Sequence, residues 1–66
     1  MKILINNKPL EVKSGATLVD LATQLELPKD GIAVAIDYKV IPRIYWGSTV
    51  LSENEELIIL EAVSGG

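Results

Sequence analysis

Few residues in this chain could do chemistry of their own. It has neither Cys nor His, which removes thiolate and imidazole metal ligands, Cys nucleophiles, disulfides and the usual general base together. Two sets of carboxylates remain. Glu53, Glu55 and Glu56 fall in one short stretch, and such groups can hold a hard cation; the stretch lacks the spacing and the glycine of a calcium loop, so it reads as a solvated acidic turn, with no metal assigned. The other is the carboxylate after Ser64-Gly65-Gly66, expected to be a free chain end. Paired glycines carry no side chain to pack and leave the acyl carbon unhindered, so this tail fits a narrow site on another protein. Taken alone, it reads more simply as a frayed terminus.

The rest of the sequence offers little competition. A chain of 66 residues makes one small domain and buries a modest share of its surface. A ligand cleft of ~300–1,000 Å³ needs walls on several sides, and most large apolar side chains here are needed for the core. The formal net charge is -3, with Lys+Arg 6 spread along the chain against Asp+Glu 9. That distribution excludes a phosphate-binding stripe, so no nucleic acid partner is expected. The opening Met1-Lys2-Ile3-Leu4-Ile5 is too short for a signal peptide, and no stretch approaches the ~18 apolar residues of a membrane span. A cytoplasmic protein with no membrane partner is expected.

The elements that would position the tail follow from periodicity. Lys2 to Ile5 and Leu10 to Lys13 flank the turn residues Asn6-Asn7-Lys8-Pro9 and form a hairpin, with the second strand at the sheet edge and Leu10 and Val12 toward the core. Thr17 and Asp20 make a capping-box-like start. A helix from about Leu18 buries Leu18, Leu21, Ala22 and Leu25 on one stripe and is stopped near Leu27 by Pro28. Ile32–Ile36 is apolar at both parities, which places it inside the sheet. Asp37-Tyr38-Lys39 turns into a short return strand at Val40-Ile41 that Pro42 ends. Ile44-Tyr45-Trp46-Gly47 reads as a turn or short helical segment in which Trp46 plugs one end of the core, a contact role being the alternative. Thr49-Val50-Leu51 reads as a short strand. In the acidic turn after it, Asn54 is the residue suited to a left-handed conformation.

The last strand, from Leu57 to Val63, carries large apolar residues on both faces. Leu57 and Ile59 share one side, Ile58 and Leu60 the other. A sheet covered by one helix leaves one pair exposed, and an exposed apolar patch marks a binding surface. We assign Ile58 and Leu60 to the partner-binding patch; the opposite assignment, with Leu57 and Ile59 exposed, stays open at the level of sequence. The fold expected is α+β, a β-grasp: a mixed sheet of four to five strands on one helix, with the first and last strands central and parallel. Residues 1–63 would form this domain and residues 64–66 a flexible tail, reaching on the order of 10–14 Å beyond the sheet.

In the order and spacing of Ala35-Ile36-Asp37, Val40-Ile41-Pro42-Arg43, Trp46, the acidic turn, the apolar strand and terminal Gly65-Gly66, the chain resembles the ThiS family of sulfur carrier proteins of thiamin biosynthesis, within the ubiquitin-like β-grasp group. It departs from that pattern at Asp37, where the family often has Asn, and at Asn54, where it has glycine. The terminal pair alone would also suit the small subunit of molybdopterin synthase or a ubiquitin-like modifier.

The resemblance implies a protein cosubstrate and not an enzyme, with no catalytic side chain and no bound cofactor. An ATP-using, ubiquitin-activating-type (ThiF-like) enzyme would adenylate the Gly66 carboxylate. Sulfur from an outside donor protein would then displace AMP to leave a thiocarboxylate, and a ThiG-like thiazole synthase would receive the sulfur. Ser64, Gly65 and Gly66 would enter the partner's site.

Overall fold

A computed structural model describes residues 1–28 and 30–61. Strand β1, Lys2–Ile5, turns at Asn6-Asn7 into β2, Lys8–Glu11; helix α1 spans Leu18–Gln24; β3 is Ile32–Ile36, β4 is Lys39–Val40, and β5 is Glu56–Glu61, preceded by a 3₁₀ helix over Arg43–Ser48. The five strands form one sheet in the order β2-β1-β5-β3-β4. β1 and β5 run parallel at its centre, and the other pairings are antiparallel. The expected β-grasp arrangement is therefore present, with β2 at the edge as its proline requires. The expected tail at 64–66, like Ala62 and Val63, lies outside the described residues.

Local chemistry explains the turns. Asn6 (φ 50) and Asn7 (φ 69) join β1 to β2, and Asp37 (φ 56) and Tyr38 (φ 66) join β3 to β4. Two consecutive left-handed residues are what a two-residue hairpin needs to match strand twist. Asn and Asp tolerate that conformation, whereas Tyr38 does so at a cost. Asn54 (φ 63) takes the left-handed position foreseen for it.

Helix α1 begins as its sequence predicts. The Thr17 hydroxyl accepts the Asp20 N–H, and the Asp20 carboxylate accepts the Thr17 N–H in return. The helix ends at Gln24, a turn earlier than the position set by Pro28. The Leu27 N–H donates to Ala22 O at 2.9 Å and the Glu26 N–H to Thr23 O at 3.2 Å, a Schellman pair that closes the helix while Glu26 sits at φ 54. No glycine advertised this stop.

The expected strand at Thr49–Leu51 is also absent. A single bridge joins Val50 to Thr17, flanked by Leu18 N–H to Thr49 O and Leu51 N–H to Ala16 O. The segment paired with Val50 turns into α1 directly after Thr17, so a ladder cannot extend. Leu51 is nonetheless buried, packing with Ile3, Leu18, Leu21, Val34 and Leu57 between helix and sheet. Trp46 closes this core and is 3% exposed. Its indole N–H donates to Ile41 O at 2.9 Å, which meets the hydrogen-bond demand of a buried indole. Among the described residues, no helix is long and apolar enough to cross a membrane.

Glu26 yields the first prediction. A left-handed L-residue costs roughly 1–2 kcal/mol, partly offset by glycine's greater unfolded-state entropy. Glu26→Gly should therefore raise the unfolding free energy by about 0.5–1 kcal/mol, read as a higher urea midpoint at constant slope. An equal or lower midpoint would show that Glu26 is not strained.

Candidate functional site

The strand that leads to Gly65-Gly66 lies between two neighbours. β3 pairs with β5 from Ile32↔Glu61 to Ile36↔Leu57. On the other side the ladder to β1 is short, Leu4↔Glu56 and Ile5↔Leu57, with Leu4 N–H donating to Glu55 O and Asn6 N–H to Leu57 O. Beyond it the chain turns away at Asn6, and the Asn6 side chain continues the ladder. Its amide donates to Ile59 O at 3.2 Å, and its carbonyl oxygen accepts the Ile59 N–H at 3.0 Å. One residue thus serves the turn through its backbone and the final strand through its side chain. Only the first role is visible in the sequence, because the second joins positions far apart in the chain.

The acidic turn before β5 is tied to β1 as well. Glu53 Oε2 accepts the Lys2 N–H at 2.7 Å, the Asn54 N–H donates to Lys2 O at 2.7 Å, and Glu55 Oε1 accepts the Ser52 N–H at 3.1 Å. Two of the three clustered carboxylates therefore hold backbone donors, a structural use that the sequence did not reveal.

The two faces of β5 differ. Leu57 is 1% exposed and packs in the core with Ile59 against it, whereas Ile58 is 38% and Leu60 57% exposed. The pair assigned from sequence is the outward one. Ala35 stands opposite Ile58, Ala33 opposite Leu60, and Val40 opposite Ala35. The two alanines are small enough that their neighbours project, and Val40, 62% exposed, widens the strip across three strands. The alanines lie inside the sheet, as their apolar run predicts, and Val40 joins the face although its short strand gives no sign of it in the sequence. The strip is held by backbone pairing to β3 along β5 and by the Asn6 side chain on the other edge, so a partner meets a surface already ordered.

A groove of about 550 Å³ opens on the same face, at the start of β5 and away from its tail end, over Leu4 and Ala35 and between Asn6, Asp37 and Glu56. The group proposed to react, Gly66, and the tail residues Ser64 and Gly65 lie outside the described residues.

Comparison with known proteins gives a consistent result. The family model described as "ThiS family" matches residues 3–66. The chain is 27% identical over 66 residues to the "Sulfur carrier protein ThiS" of Escherichia coli (strain K12), covering 100% of both. It is 30% identical over 66 residues to a "Thiazole synthase" of Magnetococcus marinus, of which it spans 20%. Among solved structures, a thiamine biosynthesis protein (ThiS) from Geobacter metallireducens superposes in its crystal form with a TM-score of 0.84 at 20% identity, over 100% of both chains. Its solution NMR structure gives a TM-score of 0.80 at 20% identity, over 88% of that chain. At that identity the likeness is one of fold.

Two predictions test the geometry of β5. Leu57→Ala should cost about 2–5 kcal/mol through the lost contacts and the cavity, while Leu60→Ala should stay within about 0.5 kcal/mol; comparable losses in chemical denaturation would contradict the two-faced strand. Asn6→Asp keeps a residue that tolerates positive φ but removes the donor to Ile59 O. It should cost about 1 kcal/mol and speed amide exchange in β5 more than in α1, and unchanged exchange there would remove the clamp from the account.

Proposed function

The chain belongs to the ThiS family of sulfur carrier proteins, which are carriers and not enzymes, and we propose that its cargo site is the Gly66 carboxylate. A carboxylate is a poor electrophile, and adenylation by ATP releases pyrophosphate and makes AMP the leaving group. Sulfide-level sulfur from an outside donor then attacks the acyl carbon and expels AMP, leaving a C-terminal thiocarboxylate; where the donor presents it as a persulfide, the acyl disulfide that forms is cleaved by a second thiol, which ends as a disulfide with the donor. The chain, without cysteine, has no thiol of its own to supply that sulfur. ATP and its catalytic groups belong to the activating enzyme, and the carrier contributes an unhindered acyl group at the end of a narrow peptide.

The observation that carries this reading is the open face of β5. Ile58 and Leu60 stand exposed on the strand that leads into Ser64-Gly65-Gly66, so a partner that grips the strip is also aligned with the tail. Ordering each tail residue costs roughly 1–2 kcal/mol, and burial of this apolar strip offsets it at about 25 cal/mol per Å². The match to the Escherichia coli carrier runs over the whole of both chains and brings Gly65-Gly66 to the end of the matched stretch. The acceptor that fits is a thiazole synthase. A likeness to one fifth of a protein of that name supports a carrier that works beside such an enzyme. The setting that fits these partners is the cytoplasm.

The test is carrier-dependent exchange of labelled pyrophosphate into ATP by a ThiF-like activating enzyme. The intact chain should support exchange, and deletion of Gly65-Gly66 should abolish it with the fold unchanged. Leu60→Asp should raise the KM for the carrier roughly tenfold or more, as loss of an interface anchor does. Exchange that persists after the deletion would rule out Gly66 as the acyl group, and a Leu60→Asp variant with unaltered KM would move the docking face elsewhere.

A further inference from the structure

Arg43 is the chain's single arginine, and its geometry is that of a pre-set recognition group. Its guanidinium carbon lies 4.5 Å from the centroid of the Trp46 ring, and its Nη2 donates to Pro28 O at 3.3 Å. Trp46 is buried and fixed by its own bond to Ile41 O, so the ring is a rigid platform. Arg43 itself is exposed. Its partners here are a neutral carbonyl and a ring face; among the described residues the one ion pair joins the N-terminal ammonium to Glu11. Most of the guanidinium N–H groups therefore face solvent in a fixed plane, with part of the side-chain entropy already lost before any partner arrives.

Its place in the fold gives this a direction. Pro28 lies shortly before β3, whose first residue, Ile32, pairs with Glu61 at the end of β5. Ile41, between β4 and Arg43, donates its N–H to Val34 O. Arg43 and Pro28 thus mark the end of the sheet from which the chain continues toward Gly66. β4 stands two strands from β5 in the sheet order, a lateral separation of roughly 10 Å. An enzyme that takes the tail covers a patch of about 800 Å² on its partner, roughly 30 Å across, and that footprint reaches Arg43. The nucleotide does not: the group to be adenylated is on Gly66, five residues along the chain from Glu61, so phosphate meets the tip of the tail and not its root.

We propose that Arg43 docks the activating enzyme by pairing bidentately with a carboxylate on the rim of that enzyme's tail channel. The proposal rests on the carrier reading above. The chemistry favours a carboxylate because a planar guanidinium with free parallel N–H groups matches its geometry. Charge adds specificity. A carrier of net charge -3 is met by a basic surface, and one acidic group opposite its one arginine fixes the register in which the tail enters.

The test uses the full chain and the activating enzyme, with KM and kcat measured for carrier-dependent pyrophosphate exchange at low and moderate salt. Arg43→Gln keeps the stem over Trp46 and removes the charge. It should raise KM roughly tenfold or more, leave kcat little changed, and flatten the salt dependence. Arg43→Lys keeps the charge without the fork and should raise KM several-fold, which keeps the test decisive even if Arg43→Gln fails to fold. An intact chain that supports exchange while a folded Arg43→Gln variant matches its KM overturns this inference alone, as does an Arg43→Lys variant with intact KM. A KM effect absent here but matched by weaker binding to the thiazole synthase also overturns it. An intact chain that supports no exchange overturns the carrier reading and this inference with it.

Discussion

The amide of Asn6 takes both backbone groups of Ile59, and that contact carries the hold of β1 on the final strand past the end of their two-residue ladder. β1 supplies only two paired residues to β5 before it must turn, because the hairpin to β2 begins at Asn6. Without the Asn6 side chain, Ile59 would have no partner on that side among the described residues, and its exposed backbone groups would bond to water, a loss of about 1 kcal/mol. The asparagine resolves two demands at one position: it tolerates φ 50 in the turn and presents a side chain that imitates the next strand residue. β3 completes the hold from the other side, and Leu57 anchors the strand into the core.

From this hold follows a division of labour between faces. One helix covers one face of a five-stranded sheet, and the other face is left to small alanines and projecting Ile58, Leu60 and Val40. Such a strip contributes little to folding, since its side chains remain largely in water in the folded chain. It is therefore available for contact with a partner. The neighbouring groove and its carboxylates lie at the other end of the strand, so the tail end and the acidic end of the same face can be addressed separately by a partner.

Much of this was legible in the sequence. The helix stripe, the capping box, the left-handed Asn54 and the outward pair Ile58 and Leu60 follow from spacing and residue type, which are local signals, and the parallel central strands follow from connection rules. Five features were not. The early end of α1 uses a glutamate in a position normally marked by glycine, so nothing in the residue type signalled it. Thr49–Leu51 has strand character but meets a chain that turns into a helix. The Asn6 clamp, the bonds from Glu53 and Glu55, and the Pro28–Arg43–Trp46 arrangement each join positions that only the fold brings together.

On the function proposed above, one atom group, the Gly66 carboxylate, carries the sulfur. Intact-mass measurement of the full chain after incubation with ATP, a ThiF-like activating enzyme and a sulfur donor tests it most directly. The account predicts a gain in mass equal to the replacement of one oxygen by sulfur, localised by fragmentation to Gly66 and lost when ATP is omitted. An unmodified chain, sulfur located at any other residue, or an amide-linked adduct to a lysine of another protein would contradict it.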